Sequence, residues 1–196
     1  MSRAVDAAAQ GASTVHASGG FALLIQGACW CAGYPAVFAA GAVVAGLPVG
    51  AVSTSPMALL RMHRADPFST RIRLAAAVCA RTSPRGHQPW PRLSIWQGEH
   101  DRTVDPENAE ILAAQWAELH GCADEPSSET TPIPQARHRV WVRRGVPAME
   151  LWTLPEVRHG FPIAPGLGKA GPWVLEAGVS AVWHISGLRG IARERG

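Results

Sequence analysis

Between residues 92 and 154 the chain alternates strand-like and helix-like segments. Such alternation implies a largely parallel sheet with helices on its faces, an α/β architecture. Residues 92–97, Arg-Leu-Ser-Ile-Trp-Gln, alternate in polarity after the rigid lead-in Pro89-Trp90-Pro91, as a strand does. Residues 106–120 are the clearest helix: Asp105 suits the N-cap, Pro106 the first position, and Glu107 and Glu110 the positive end of the dipole. Ala109, Leu112, Trp116 and Leu119 share one face, and Gly121 stands where a C-terminal cap belongs. Residues 139–143 and 148–154 are β-rich and meet across Arg144-Gly145-Val146-Pro147, a hairpin pattern. Upstream, residues 41–46 form a short apolar run bounded by glycines, expected of a strand buried on both faces. Residues 57–64 and 69–81 are short helical candidates separated by Asp66-Pro67, and residues 172–185 read as a closing helix. Residues 123–135, rich in Pro, Ser, Thr and acid, read as a solvated loop.

Composition narrows the function classes. A chain of 196 residues holds about one domain, and 47 % apolar with 17 % charged residues is globular rather than disordered. The net charge of +3 is small and scattered, and no basic tract alternates with aromatics, so no nucleic-acid partner is implied. Of the 18 basic residues 17 are Arg and only Lys169 is Lys, which reads as a coding bias rather than a binding surface. The longest apolar stretch, residues 21–45, is broken by Gly27, Gly33, Tyr34-Pro35 and Gly41, so it is not expected to span a membrane. Asp6, Gln10, Thr14 and His16 interrupt the N-terminal residues, and no signal peptide is visible, which leaves the compartment open. Cys29, Cys31, Cys79 and Cys122 lack metal-ligand spacing, and isolated Cys79 reads as a small buried apolar residue.

Open α/β sheets gather functional residues in loops beyond the C-terminal ends of their strands. Two such loops carry ionisable groups: Gln97-Gly98-Glu99-His100-Asp101-Arg102-Thr103-Val104-Asp105-Pro106 and Pro155-Glu156-Val157-Arg158-His159-Gly160-Phe161-Pro162. An acid after one strand and a His after the next suit a hydrolase in which a carboxylate orients an imidazole. Acid before His is also the α/β-hydrolase order, with the nucleophile earlier still. The plainer reading stays open at this point: Asp101 as a turn former bonding Thr103, and His159 as a surface turn residue.

From about Tyr34 to Leu188 the chain resembles esterases of the polyhydroxybutyrate depolymerase type, relatives of feruloyl and acetylxylan esterases. The resemblance is carried by Tyr34-Pro-Ala-Val-Phe-Ala-Ala-Gly-Ala-Val-Val-Ala-Gly-Leu-Pro48, Pro89-Trp-Pro-Arg-Leu-Ser-Ile-Trp-Gln-Gly98, Asp101-Arg-Thr-Val104, Asn108-Ala109, Gln115-Trp116 and His159-Gly-Phe-Pro162. In that family a Gly-x-x-Asp-x-x-Val loop carries the triad acid and a His-Gly-x-Pro loop the base. The resemblance therefore implies Asp101 as acid and His159 as base. It also implies a partial α/β-hydrolase fold, an ester or polyester substrate and no metal or organic cofactor. Family members are often secreted. His100 and Glu99 then read as solvated, Asp105 as a helix cap, Trp96 and Trp116 as core, and Phe161 and Trp173 as neighbours of the His loop.

The nucleophile has no matching motif. The fold calls for a strand, a tight Gly-x-Ser-x-Gly turn and a helix, and that pattern does not occur in the chain. His16-Ala17-Ser18-Gly19-Gly20 is the nearest approximation and makes Ser18 the serine candidate. A thiolate alternative is Cys29, after the strand-like residues 21–26, although the second glycine is missing. The expected organisation is thus a divergent segment 1–33, an α/β-hydrolase portion 34–188 and a basic tail 189–196. Two functional readings remain: a Ser-His-Asp carboxylic ester hydrolase, or a catalytically inactive C-terminal fragment of one. A third, a polymer-binding module using exposed Trp, has no surface motif behind it. A half sheet also leaves an unpaired edge that invites self-association.

Overall fold

The computed structural model describes residues 31–33, 38–82, 89–134 and 136–188. Ser18, Cys29, residues 21–26, Tyr34-Pro35 and the basic tail lie outside the described residues. In chain order the elements are β1 (Ala40–Val44), α1 (Ser55–His63), α2 (Arg71–Arg81), β2 (Arg92–Gly98), α3 (Glu107–His120), β3 (Ser128–Ile133), β4 (Ala136–Arg143), β5 (Val146–Leu154), β6 (Phe161–Ile163), β7 (Val174–Glu176) and α4 (Ala181–Leu188). The main sheet has the order β1-β2-β5-β4-β3. β1, β2 and β5 pair in parallel, while β4 pairs antiparallel with both β5 and β3. Four of the five strands therefore point one way, and the sheet is mostly parallel as the alternation predicts.

Side chains alternate across the pleat, so each central strand feeds two cores. On one face Leu93, Ile95, Met149 and Leu151 meet Ala109, Leu112 and Trp116 of α3. On the other, Trp96, Trp152 and Leu154 meet Ala181 and Ile185 of α4. Leu93, Trp96, Leu112, Trp116, Met149 and Leu151 are all 0 % exposed, each contributing roughly 1.5–3 kcal/mol of burial. At the start of α3 Pro106 rather than Asp105 takes the N-cap position and supplies no side-chain bond; Asp105 Oδ1, one residue earlier, still accepts from the Glu107 amide at 3.1 Å, and Gly121 closes the helix in the left-handed conformation as expected. At the tip between β4 and β5, Arg144 (φ 51) and Gly145 (φ 78) both have positive φ, the geometry a two-residue type I′ hairpin requires.

Three expectations are corrected. Residues 128–133, read as part of a loop, form the edge strand β3. Its side chains are almost all exposed, so only its main chain pairs with β4 and no apolar alternation marks it. The closing helix begins at Ala181 rather than residue 172, because Val174–Glu176 pairs in parallel with Phe161–Ile163 and Gly178 (φ 71) breaks the chain direction. Cys79 is exposed, since α2 buries the face of Leu74, Ala75 and Val78 instead. No helix among the described residues is long and apolar enough to cross a membrane.

Candidate active site

β2 and β5 are adjacent and parallel, and Gly98 pairs with Leu154 at their final residues. The two loops that follow therefore leave the sheet side by side. They are tied together by main-chain bonds from Glu99 N to Leu154 O (3.0 Å) and from His100 N to Val157 O (3.2 Å). The crossing is so close that a Cβ at position 98 would lie 2.1 Å from Val157 O, which is why a glycine ends β2.

Asp101 and His159 are brought together. His159 Nδ1 lies 2.8 Å from Asp101 Oδ2, with both residues buried. The other carboxylate oxygen, Oδ1, accepts from the amides of Thr103 (2.8 Å) and Val104 (2.9 Å). One oxygen thus forms the turn and the other holds the imidazole, so the two readings of Asp101 coexist. Burial alone would raise the Asp101 carboxyl above its ordinary range. The bond from His159, the amides of Val104 and Thr103 and the His159 charge outweigh it and leave the group lowered. Val104, fully buried against Leu47 and Met62, anchors the far side of this loop.

Other candidates separate cleanly. Asp105 Oδ2 accepts from the Ala65 amide at 2.9 Å, so its carboxylate is spent on α1 and α3. His100 is exposed, 4.0 Å from Glu156, and Glu99 is exposed, 3.7 Å from Arg137. Trp173 meets the His159 ring edge-on with centroids 5.8 Å apart and is 64 % exposed. Its carbonyl accepts from the Phe161 amide at 2.8 Å, so the β6–β7 ladder sets this indole beside the imidazole.

No protein-family model matches the chain. Poly(3-hydroxyalkanoate) depolymerase C of Paucimonas lemoignei is 31 % identical over 165 residues, 81 % of this chain and 39 % of that protein. An acetylxylan esterase of Coprinopsis cinerea is 28 % identical over 139 residues, 66 % of this chain and 34 % of that protein. Among solved structures, acetyl xylan esterase from Aspergillus awamori shares the fold with a TM-score of 0.61 at 22 % identity, covering 70 % of this chain and 51 % of that one. In sequence the chain is similar to polyhydroxybutyrate depolymerase and acetylxylan esterase-like proteins, and the solved acetyl xylan esterase shows the shared fold. The chain spans about two fifths and one third of the length of the two curated relatives.

Two groups on the strands that lead into these loops carry no recognisable sequence motif. Gln97 is 2 % exposed and its Nε2 lies 3.4 Å from Asp101 Oδ2, while also bonding Gly98 O at 3.0 Å. A polar residue closing an otherwise buried strand was the available signal. Glu150 is buried between Ser94 Oγ (2.5 Å) and His138 Nε2 (2.8 Å), and Ser94 in turn accepts from Trp96 Nε1 at 2.7 Å. The signal there was an acid at an inward position of β5, opposite Ser94 in the ladder. Among the described residues, no three His, Cys, Asp or Glu side chains group as metal ligands.

Proposed function

We propose that this chain carries the acid–base half of a carboxylic ester hydrolase, with Asp101 as orienter and His159 as general base and then acid. The observation that carries the reading is the buried 2.8 Å contact between Asp101 Oδ2 and His159 Nδ1. A carboxylate at that distance fixes the imidazole proton on Nδ1 and leaves the lone pair on Nε2. Nε2 takes the proton of a hydroxyl nucleophile as that oxygen attacks the ester carbonyl. The resulting imidazolium is stabilised by the Asp101 carboxylate. It returns the proton to the departing alcohol oxygen as the carbon–oxygen bond breaks, leaving an acyl-enzyme. Water then repeats the sequence, with Nε2 accepting its proton, and releases the acid. Ser18 is the proposed nucleophile, and backbone amides hold the oxyanion. The substrate class, an ester or polyester, follows the relatives named above.

The absence of Gly-x-Ser-x-Gly from the sequence favours a second reading, in which the chain keeps the acid and base loops but is inactive. Hydrolysis of a short-chain nitrophenyl ester by the purified chain, lost in both His159→Ala and Ser18→Ala, is the result expected of the hydrolase. Loss with His159→Ala alone moves the nucleophile away from Ser18. A folded sample with no turnover overturns the first reading in favour of the second.

A further inference from the structure

Beyond the dyad, the face of the sheet covered by α4 holds an open groove of about 340 Å³, walled by Ile133, Trp152, Val179, Ser180, Trp183 and His184. β3 and β5 run in the same direction, because β4 is antiparallel to both. The C-terminal end of β3 at Ile133 therefore lies on the same rim of the sheet as the end of β5, from which the His159 loop departs. Two strand spacings separate β3 from β5, about 10 Å. We propose that this groove is a binding site for an uncharged aromatic ring, and, resting on the hydrolase reading, that it holds a remote aryl portion of the ester.

The lining argues for that chemistry. Among the described residues no Asp, Glu, Lys or Arg lines the groove, so burying a charged group against them would go uncompensated. Trp183 is 43 % exposed and offers an indole wall, with Ile133 and Val179 as aliphatic walls. Aromatic rings favour such walls beyond the area they bury. Both flat sides of Trp152 are taken, one by Trp96 (centroids 4.7 Å) and the other by His138 (4.1 Å), and His184 is tilted against it at 4.5 Å. The Trp152 indole N–H is buried and, among the described residues, has no hydrogen-bond partner. The remaining polar groups are few. Ser180 Oγ already accepts from the Trp183 amide at 3.3 Å, and burial lowers the His184 pKa, favouring the neutral ring. A sugar, with several hydroxyls to satisfy, would leave most of them unpaired. An aryl group with one polar substituent does not.

Benzyl alcohol is the probe, with cyclohexylmethanol and methyl xyloside as comparators, and the readout is the indole N–H region of the ¹⁵N spectrum. Benzyl alcohol is expected to shift the Trp183 and Trp152 signals and to bind more tightly than either comparator. Trp183→Ala should weaken that binding by about tenfold, Trp183→Phe should retain most of it, and Ile133→Glu should weaken it by placing a carboxylate in the groove. Equal binding of cyclohexylmethanol, preference for the xyloside, or unchanged affinity in Trp183→Ala and Ile133→Glu overturns the proposal. An inactive chain that still binds benzyl alcohol at Trp183 supports the groove while sinking the hydrolase reading. An active chain whose Trp183 signal never moves sinks the groove alone.

Discussion

The two oxygens of Asp101 divide the work of the candidate site, one fixed by the Thr103 and Val104 amides and one left for His159. The amides pin the carboxylate, so the imidazole is aimed by a group that cannot itself swing. Asp101→Asn preserves the shape but puts an amide against Nδ1 and disfavours the productive tautomer. In an active chain, ester turnover should fall by about 10⁴-fold with little change in KM, measured by steady-state kinetics. The Asp101 pKa is held below its ordinary 3.8, so its stabilising bonds are present above that value and are lost as pH falls through the lower folded one. Acidification should therefore cost the wild type stability in that window and spare Asp101→Asn, as thermal unfolding would read. Gly98 is equally committed. Adding a Cβ 2.1 Å from Val157 O meets backbone rather than a yielding side chain. Gly98→Ala should cost more than about 3 kcal/mol, or displace the 155–159 loop and with it His159, as denaturant titration and activity together would show.

Elements whose boundaries are written in local chemistry were legible in the sequence, and those set by pairing alone were not. Asp105, Pro106 and Gly121 punctuate α3, and Gly98 and Gly160 mark the two loops, so the helix, both central strands and the two loops that bring Asp101 and His159 together are legible in the sequence. β3 escaped because an edge strand with exposed side chains carries no alternation, and β7 because three residues next to Pro172 and Trp173 have no period at all. The Ser94–Glu150–His138 chain escaped because each member looks ordinary in its own strand. The docking of α4 depends on that same layer. His184 sits against Trp152, Trp96 and Trp183, faced by Glu150 from β5 and His138 from β4. Burial lowers its pKa, Glu150 raises it and the His138 charge lowers it, for a net value below the ordinary 6.5. A neutral His184 thus stabilises the fold above that pH, and the contribution is lost as pH falls below it toward the folded value. The melting temperature should drop on mild acidification in the wild type and drop less in His184→Phe. Equal pH slopes in the two proteins would sink this account of α4.

At the scale of the whole molecule, the two borders of the sheet differ in kind. β3 ends it on one side with exposed polar side chains, Pro132 and an irregular register between Thr130 and Ile133, all features that discourage a further strand. β1, Ala-Gly-Ala-Val-Val, is the other border among the described residues and has none of these features, with Val43 1 % and Val44 3 % exposed. Self-association, if the border is open in solution, should run through β1 rather than β3. The ladder identifies a variant that tests this without dismantling the strand. Ala39 O accepts from Arg92 N and Ala45 N donates to Trp96 O, so the odd-numbered residues of β1 face β2 and Ala42 directs its amide outward. Ala42→Pro removes that outward donor while sparing the bonds to β2. Sedimentation velocity over a concentration series should show the wild type shifting to larger species and Ala42→Pro staying monomeric at the same loading, with similar melting temperatures. A wild type that sediments as a monomer throughout would mean that the border is already closed.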